Sequence, residues 1–501
     1  MLIESIRHRV AHASASQFLL ILIGIQVLLH LPVISLPPVG QHVWRQVMGL
    51  APARNYYEED HAFLSPAQDV RVGLEDTGET YIEFPLLYWI IGKSYTLTGF
   101  SHANGRLVML AMACLLIVFS YAFIKAWGVS ESRARWYVFL LSSSPYFFYY
   151  AVTVSPDMPA LTWFVGGLAL LIPAVRSERW DWKFWLGGSL ILLGTLSKAT
   201  YLFFGLPLAY LFLRQYRKTR HFQVLGVAIL LGGLVLLVNA WMFHYSGEQV
   251  SRSPFERTRW IEREPSPLPN SWEEVRQIVY AGSTKWFLEM YVNTAAIPLF
   301  VVGLYSAIRR RVWRSAENGF WTAWLMSFAL FAACFIIRFY NHEYYLTPLL
   351  LITPLITAVG VQVLWQHPLG KKIALVCLVL VPFVMVLRVN GRWIKSLQVP
   401  NELLYQSAAF EQIIPSADRI LVLDHNSPLT YLYYLHRKGL RITPQYVAPE
   451  DLERYYQLHF RWIVSPFPLD TYPVFQPWIK FQAKVGTFTI YQFGPVPHAS
   501  L

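Results

Sequence analysis

The first polar loop of the chain, residues 38–106, combines carboxylates and cations in a way that could support acid–base and phosphate chemistry. A carboxylate can take the proton of an attacking hydroxyl group, and cations can stabilise a phosphate group as it leaves. The candidates for the base are Asp69 and Glu83, and the candidates for holding phosphate or sugar are His42, Arg45 and Arg106.

Two acidic positions in this loop have alternative interpretations. The run Glu58-Glu59-Asp60 is a further candidate for the base, although such a run is more typical of a solvated helix end. Glu83 begins an apolar stretch, so it could instead cap a helix near the positive end of its dipole. Spacing alone does not separate a chemical role from a structural one here.

Two ionisable residues lie at the edges of apolar segments further along the chain. Asp157 lies between prolines in Ser155-Pro156-Asp157-Met158-Pro159, which suits either a catalytic acid group or the start of a helix. Lys198 separates two apolar halves, where a lysine is costly unless it meets water or an anion. A lipid phosphate is one such anion, and a lysine reaching towards the membrane interface is the alternative.

A third cluster joins two apolar segments at residues 338–345. It places a cation, an imidazole, a carboxylate and phenols within eight residues, whereas a simple linker would be small and polar. We therefore predict that it contacts substrate through His342, Glu343 and Tyr345, with Asp157 and Glu343 as further acidic candidates.

The composition indicates that these groups are positioned by a membrane protein. The 501 residues are 55% hydrophobic and only 14% charged, with a mean hydropathy of +0.36, whereas soluble domains carry about 25% charged residues. The three cysteines all lie in apolar runs and predict neither a disulfide framework nor a zinc site. The net charge of +12 is better explained by basic loops between spans than by nucleic-acid binding.

About 20 apolar residues are needed to cross a bilayer, and about eleven segments qualify. The predicted spans are 17–37, 107–126, 136–153, 158–175, 184–198, 200–213, 224–243, 291–308, 320–337, 346–365 and 372–389. The first span is interpreted as a retained helix rather than a cleaved signal peptide.

The basic residues of the short loops fall on one side if the spans alternate, and that side is the cytoplasm. This places 38–106, 244–290 and 390–501 on the outer side. The loop 244–290 does not fit this rule well, because it carries Arg257, Arg259 and Arg263 on the outer side. Long loops, however, have less effect on the orientation of the spans than short ones.

The fold class predicted is therefore a mainly α, polytopic membrane protein with two outer-side juxtamembrane helices, near 43–58 and 83–98. We place the transmembrane domain at 1–389 and a small soluble α/β domain at 390–501. In the latter, 417–425, 461–466 and 488–493 are predicted as strands, and 429–439 and 448–459 as helices.

Several stretches together resemble the C-type membrane glycosyltransferases, in particular the bacterial dolichyl-phosphate-mannose-protein mannosyltransferase-like and lipid A aminoarabinose-transferase-like families. The matching stretches are HVWRQ (42–46), ARNYYEE (53–59), SPAQD (65–69), IEFPLLYWIIGKSYTLTG (82–99), GRLVML (105–110), SPDMPAL (155–161), LSKA (196–199) and NHEYYL (341–346).

The resemblance implies an outward-facing site, a polyprenyl-phosphate sugar donor and inversion at the anomeric carbon. Many such relatives have an acidic base soon after the first span, whereas residues 40–49 contain no carboxylate. Relatives sometimes bind a divalent cation, but the sequence indicates no metal site and no cofactor.

We therefore expect a glycosyltransferase of the bacterial inner membrane that transfers a sugar to a lipid, glycan or protein at the periplasmic face. A transporter of lipid-linked glycans is a second hypothesis, although it favours charges within the spans and internal repeats. A non-catalytic scaffold with a periplasmic partner is a third, supported by the missing early carboxylate.

Overall fold

The computed structural model describes residues 14–72, 76–80, 83–252, 269, 271–311, 318–340, 342–393, 397–423 and 428–494. The basic N-terminal residues and Arg257, Arg259 and Arg263 lie outside these ranges. The chain forms two compact units. The first comprises Met1–Ser35, Arg106–Phe243 and Glu264–Gly391, and the second Leu36–Gly105, His244–Arg263 and Arg392–Leu501. The polar loop thus belongs to the same unit as the C-terminal tail.

The α-helices of the described residues follow one another along most of the chain. In chain order they are α1 Ala15–His30, α2 Val43–Glu58, α3 Leu86–Thr98, α4 His102–Ala126, α5 Glu131–Ser142, α6 Pro145–Tyr150, α7 Asp157–Ser177, α8 Trp182–Ser197, α9 Gly205–Thr219, α10 Phe222–Arg252, α11 Trp272–Tyr280, α12 Ile297–Arg309, α13 Gly319–Cys334, α14 Thr353–Trp365, α15 Pro368–Trp393, α16 Asn401–Tyr405, α17 Ser407–Ile413, α18 Pro428–Leu435 and α19 Pro449–Gln457.

The chain is a multi-pass membrane protein, and six helical segments of the described residues are long and apolar enough to cross a bilayer. They are Ala15–Val33, His102–Ala126, Asp157–Ser177, Phe222–Glu248, Trp272–Arg309 and Pro368–Trp393. A seventh arises if the 3₁₀ helix Glu343–Leu351 and α14, which are bent by 49°, count as one span. The predicted count of about eleven is not confirmed.

Breaks in the helices explain most of the difference in count. The predicted span 136–153 is divided between α5 and α6, and a 3₁₀ segment, Ala199–Phe204, separates α8 from α9. The 16 residues of α8 measure about 24 Å at 1.5 Å per residue, less than the roughly 30 Å hydrocarbon core. Hydropathy detects that such segments are apolar, but not where the backbone breaks.

Close helix contacts in the first unit depend on small residues. A Cβ at Gly303 on α12 would lie 1.9 Å from the Ile356 carbonyl oxygen, and one at Gly360 on α14 would lie 1.8 Å from that of Leu299. The two backbones therefore pack against each other where no side chain fits, as is common for helices in membranes. Leu140, Leu299 and Val361 belong to one buried apolar cluster of this unit.

The second unit is built around a five-stranded sheet. Its strands are β1 Arg419–Val422, β2 Gly439–Arg441, β3 Phe460–Ser465, β4 Ile479–Val485 and β5 Phe488–Phe493, in the order β2-β1-β3-β5-β4. β1 is parallel to both β2 and β3, whereas β5 is antiparallel to β3 and β4. The inward side chains of β1 and β3 are fully buried, which explains why these strands were recognisable as apolar runs.

Two details of the tail differ from the prediction. The helix expected over 429–439 ends at Leu435, and Gly439 is the first residue of β2 rather than a helix terminator. A Cβ at Gly439 would lie 2.0 Å from the Ile420 carbonyl oxygen, so the glycine permits β2 to approach β1. Strand β4 was missed because its alternation is weak, with most of its side chains exposed.

The two helices predicted in the polar loop are present as α2 and α3. α2 is buried along almost its whole length in the second unit, including Arg45, Arg54 and Asn55. It also continues through Pro52, whose ring removes one helical hydrogen bond, because tertiary packing supports the helix. Pro85 immediately precedes α3.

Candidate active site

Arg45 and Glu83 of the second unit form an ion pair. Arg45 lies in the first turn of α2, and its guanidinium donates to the Glu83 carboxylate. The Tyr88 hydroxyl donates to the other oxygen of Glu83, at 2.7 Å. The side chain of Glu83 remains 17% exposed. The structure thus brings together one predicted cation and one predicted base, and the carboxylate stays partly exposed.

His42 directly precedes α2 in an uncommon backbone conformation. Its φ of 58° and ψ of 43° lie in the left-handed region, and its side chain does not cap the helix. It is buried, and its ring meets the edge of Trp44 at a centroid distance of 6.5 Å. Left-handed residues other than glycine are concentrated at functional sites, which agrees with the prediction that His42 contacts a ligand but does not test it.

Asp69, the other predicted base, is enclosed in a cluster of cations. Arg54 Nη2 donates to its Oδ2 at 2.6 Å, and Lys438 Nζ donates to its Oδ1 at 2.9 Å. Asn55 Nδ2 donates to the same Oδ1 at 3.3 Å, and the carboxylate is 0% exposed. Burial would raise the pKa of Asp69, but the charges of Arg54 and Lys438 outweigh it and hold the pKa well below its usual value.

The acidic residues Glu58 and Glu59 at the end of α2 are paired rather than simply solvated. Glu58 accepts a hydrogen bond from His436 at 2.8 Å. Glu59 forms ion pairs with Arg71 at 2.7 Å and with Lys438 at 2.9 Å. Burial opposes its ionisation, but the hydrogen bond from His61 and the charges of Lys438 and Arg71 lower the pKa of Glu59 to about 2. These carboxylates therefore serve as partners of the tail.

Asp157 and Lys198 form a buried ion pair in the first unit. Asp157 is the first residue of α7, and Ser155 Oγ donates to its Oδ2 at 2.7 Å. Lys198 directly follows α8, and its Nζ lies 3.1 Å from Asp157 Oδ1. Asp157 begins a helix, as one of its two interpretations predicted, and its catalytic role stays a prediction. Lys198 is 9% exposed, which does not fit a side chain extended into solvent.

Two aromatic faces complete the surroundings of Lys198. Its ammonium lies 5.2 Å from the ring centroid of Tyr344 and 5.4 Å from that of Tyr345. Such cation–π contacts stabilise an ammonium without using its hydrogen-bond donors. Among the described residues Lys198 has one carboxylate partner, so it keeps donors for an anionic ligand.

The 338–345 cluster also places Glu343 in the interior of the first unit. Glu343 is 0% exposed, and its Oε1 lies 3.4 Å from the Tyr150 hydroxyl, which donates to it. Its backbone carbonyl accepts from Tyr291 at 2.8 Å. The His342 ring stacks on Tyr344 at 5.2 Å. The structure thus brings His342, Tyr345 and Lys198 into one neighbourhood, and their contact with substrate stays a prediction.

Arg106, predicted to hold phosphate or sugar, is buried in the first unit. Its Nη1 donates to the Val152 carbonyl at 2.9 Å, so it supports the turn that leads into Asp157. The described residues contain no group of three or more His, Cys, Asp or Glu side chains arranged to hold a metal ion. Metal dependence stays an open expectation.

A cavity of about 770 Å³ lies between α8, α9 and α10, next to the Lys198 backbone. Its walls are apolar, and lining residues such as Ile229 and Leu236 are also exposed at the surface of the unit. Tyr201 lines it three residues beyond Lys198, and its backbone N–H donates to the Lys198 carbonyl at 2.9 Å. The buried Tyr201 hydroxyl has no hydrogen-bond partner among the described residues.

Sequence reasoning missed the partners of the predicted acids. Arg54 lies within the ARNYYEE stretch, so the resemblance could have singled it out. Lys438 carries no local signal, because it is 369 residues away from Asp69 along the chain. Tyr201 and the cavity also have no signature beyond an apolar run.

Comparison with known proteins identifies the architecture. A sequence model described as dolichyl-phosphate-mannose-protein mannosyltransferase matches residues 83–243. ArnT from Cupriavidus metallidurans in the apo state is similar over 96% of this chain and 98% of its own, with a TM-score of 0.63 and 12% identity. ArnT bound to undecaprenyl phosphate is similar over 95% and 98%, with a TM-score of 0.65 and 12% identity.

The chain has a C-type membrane glycosyltransferase fold. The resemblance predicted from the motifs is therefore confirmed at the level of this superfamily. The archaeal oligosaccharyltransferase AglB from Archaeoglobus fulgidus, in complex with an inhibitory peptide and a dolichol-phosphate, matches over 97% of this chain and 74% of its own, with a TM-score of 0.53 and 11% identity. Comparison with curated protein sequences gives no match.

Proposed function

We propose that this protein is a glycosyltransferase that moves a sugar from a polyprenyl-phosphate donor to a hydroxyl group of a lipid, glycan or protein. The observation that carries the proposal is the buried Asp157–Lys198 pair, one turn from an apolar cavity. Tyr201 lines the cavity, and its backbone N–H donates to the Lys198 carbonyl, so a ligand with an anionic head and a hydrocarbon chain can reach both the ammonium and the cavity. The similar structures, which include ArnT bound to undecaprenyl phosphate, support this choice of donor.

The reaction needs a leaving phosphate and a base. The acceptor oxygen attacks the anomeric carbon opposite the phosphate, the bond from that carbon to the phosphate oxygen breaks, and its electron pair leaves with the phosphate. The configuration inverts. Lys198, held by Asp157, stabilises the leaving charge, while Tyr345 and His342 contact the sugar. Arg45 orients the carboxylate of Glu83.

Glu83 is assigned as the base that takes the acceptor's proton. A general base must reach the proton that it removes, and Glu83 is partly exposed. Asp69 is fully enclosed, and its lowered pKa makes it a weak proton acceptor. Residues 40–49 contain no carboxylate, and Glu83, further along the same polar loop, takes the role of the base.

The donor assignment is tested by binding of a polyprenyl phosphate to purified protein in nanodiscs. Lys198→Met should weaken binding by about 10- to 100-fold, the scale of one hydrogen bond to a charged group, about 1.5–3 kcal/mol. Lys183→Met is the matched control, because Lys183 lies at the other end of α8 and is exposed. Equal affinity in all three proteins would show that the phosphate binds elsewhere.

The base assignment is tested by transfer from a radiolabelled polyprenyl-phosphate sugar. Glu83→Gln should lower the rate at saturating donor by about two to four orders of magnitude, with folded protein unchanged. Glu79→Gln removes a partly exposed carboxylate of the same loop as a control. Full activity of Glu83→Gln would move the base to another carboxylate.

The proposed site faces the periplasm of a bacterial inner membrane. The positive residues of the short loops support this orientation. Alkaline phosphatase fused after Asp157 or Gly391 should be active, and the same reporter fused after Arg217 or Arg310 should be inactive. An inactive fusion after Gly391 would place the tail in the cytoplasm and contradict the orientation.

A further inference from the structure

A short segment of the polar loop extends the sheet of the C-terminal tail. Val70 forms a parallel bridge with Gly439, the first residue of the edge strand β2. The Gly439 N–H donates to the Asp69 carbonyl at 3.0 Å, and the Arg71 N–H donates to the Gly439 carbonyl at 2.8 Å. Two residues of the loop thus bracket one residue of the strand, as in a parallel ladder. The segment covers the β2 edge.

Side chains on either side of this bridge bind the tail to α2. Lys438, next to Gly439, contacts Asp69 and Glu59 at 2.9 Å each and also donates to the Asn55 side chain. Arg54 donates to the Tyr433 carbonyl at 3.0 Å and lies 4.8 Å from the centroid of the Tyr433 ring. The last turns of α2 therefore contact the tail through hydrogen bonds, ion pairs and a cation–π contact.

This cluster has no space for a substrate. Asp69 is 0% exposed and the side chain of Arg54 is 2% exposed. Both oxygens of Asp69 are occupied by protein donors. Groups enclosed in this way can influence a reaction only through what they hold in place.

The element that they hold is the helix that carries Arg45. Arg45 lies in the first turn of α2 and Arg54 in its second half, nine residues or about 14 Å apart along the axis. A helix transmits a displacement of one end to the other, because its backbone hydrogen bonds keep it stiff. A shift near Arg54 would therefore move Arg45 relative to Glu83.

We propose that the C-terminal domain is a positioning element for the polar loop. Lys438 and the β2 edge hold the end of α2, and through this helix they fix Arg45 against Glu83. The inference rests on the proposed function only in giving Arg45 and Glu83 a role in transfer. Lys438, Arg54 and Asp69 are positioning residues and do not contact the reacting atoms.

Kinetics of the full chain test the effect on the site. Lys438→Met should lower the transfer rate at saturating donor by about 10- to 100-fold, the scale on which misplacement by about 1 Å acts. Lys438→Arg, which keeps the charge and can reach both carboxylates, should recover most of the rate. Lys484→Met is the matched control, because Lys484 is an exposed lysine on β4, at the far edge of the same sheet.

A double variant separates positioning from general destabilisation. If Lys438 acts through Arg45, adding Lys438→Met to Arg45→Gln should cause little further loss, because the group being positioned is already absent. If the rate of the double variant falls by the product of the two single-variant reductions, the proposal is overturned. A wild-type transfer rate in Lys438→Met would overturn it as well.

Hydrogen exchange of the intact protein tests the contact without any assay of transfer. Lys438→Met should speed exchange at the Arg71 and Gly439 amides and in the last turns of α2, and leave β4 and β5 unchanged. Unchanged exchange at Arg71 and Gly439 would show that Lys438 does not hold the loop segment against β2. Absence of transfer in the wild-type protein would overturn the proposed function alone, and the exchange result would still decide whether the tail holds the loop.

Discussion

Asp69 and Asp157 are both buried aspartates paired with cations, yet their surroundings differ. Asp69, in the second unit, meets Arg54, Lys438 and Asn55, which leave it no exposed oxygen. Asp157, in the first unit, meets one ammonium and one hydroxyl group. The Lys198 ammonium faces two tyrosine rings, and Tyr201, three residues further along the chain, lines an apolar cavity.

The difference separates a structural ion cluster from the proposed ligand site. A buried charge must be matched, and around Asp69 the protein supplies every match itself. Around Lys198 the rings stabilise the cation but leave donors available, so an anion from outside can complete the arrangement. Burial and charge pairing alone therefore do not identify a catalytic acid. Unused donors and a nearby cavity are instead what favour a site that binds an anionic ligand.

The largest effect that tests this contrast is the loss of Asp69. Asp69→Ala would leave Arg54 buried without a carboxylate, and we expect it to cost about 3–5 kcal/mol in the free energy of unfolding of the second unit. Pulse proteolysis in a denaturant series measures this. Asp470→Ala, at an exposed position of the tail, should cost little. A cost below about 1 kcal/mol for Asp69→Ala would mean that the cluster is not structural.

A second prediction uses two neighbouring glycines of α10. Gly232 lines the cavity and Gly233 does not, and a Cβ meets nothing within 4 Å at either position. Gly232→Phe should fill the cavity and weaken binding of a long polyprenyl phosphate by about 1.5–3 kcal/mol, the scale of burying one large apolar side chain. Gly233→Phe should bind as the wild type does, in the same nanodisc titration.

A short-chain phosphate sharpens this test. Its affinity should change little in Gly232→Phe, because the anionic head still reaches Lys198. Equal losses for long and short chains would show that the cavity does not receive the hydrocarbon chain.

A smaller effect is expected from the ring that faces Lys198. Tyr345→Leu removes a cation–π contact worth about 0.5–2 kcal/mol and should weaken polyprenyl phosphate binding to a similar extent, because the ammonium is less well placed. Tyr345→Phe keeps the ring face and should retain most of the affinity. Titration calorimetry of polyprenyl phosphate binding to both variants separates the contribution of the ring face from that of the hydroxyl group. A loss in Tyr345→Phe equal to that in Tyr345→Leu would assign the effect to the hydroxyl.

The smallest effect near neutral pH is the titration of the Asp69 cluster. The pKa values of Asp69 and Glu59 are lowered in the folded protein, so their stabilisation is present above the unfolded values near 4 and is lost as pH falls below them. Stability of the second unit should be flat from about pH 7 to 5 and then decline, by at most about 1.4 kcal/mol per pH unit for Asp69. Asp69→Asn should reduce this decline. A stability that rises on acidification would reverse the assigned sign.

The sequence by itself determined the membrane class, the two helices predicted near 43–58 and 83–98, and the residue types of both sites. Hydropathy and spacing report whether a segment is buried and which backbone period it follows, and these depend on local chemistry. Asp157 and Lys198 could be selected in this way, because each interrupts an apolar pattern at a cost that requires a reason.

Only the tertiary structure decided which acid is enclosed and which cation remains available. Asp69 and Glu83 are equivalent candidates by spacing, and the partner that separates them, Lys438, comes from the far end of the chain. The pairing of Val70 with Gly439 and the breaks in the apolar helices likewise depend on backbone contacts between distant segments. A local pattern contains no information on such contacts, because the energy of a buried charge is set by whichever groups the fold brings next to it.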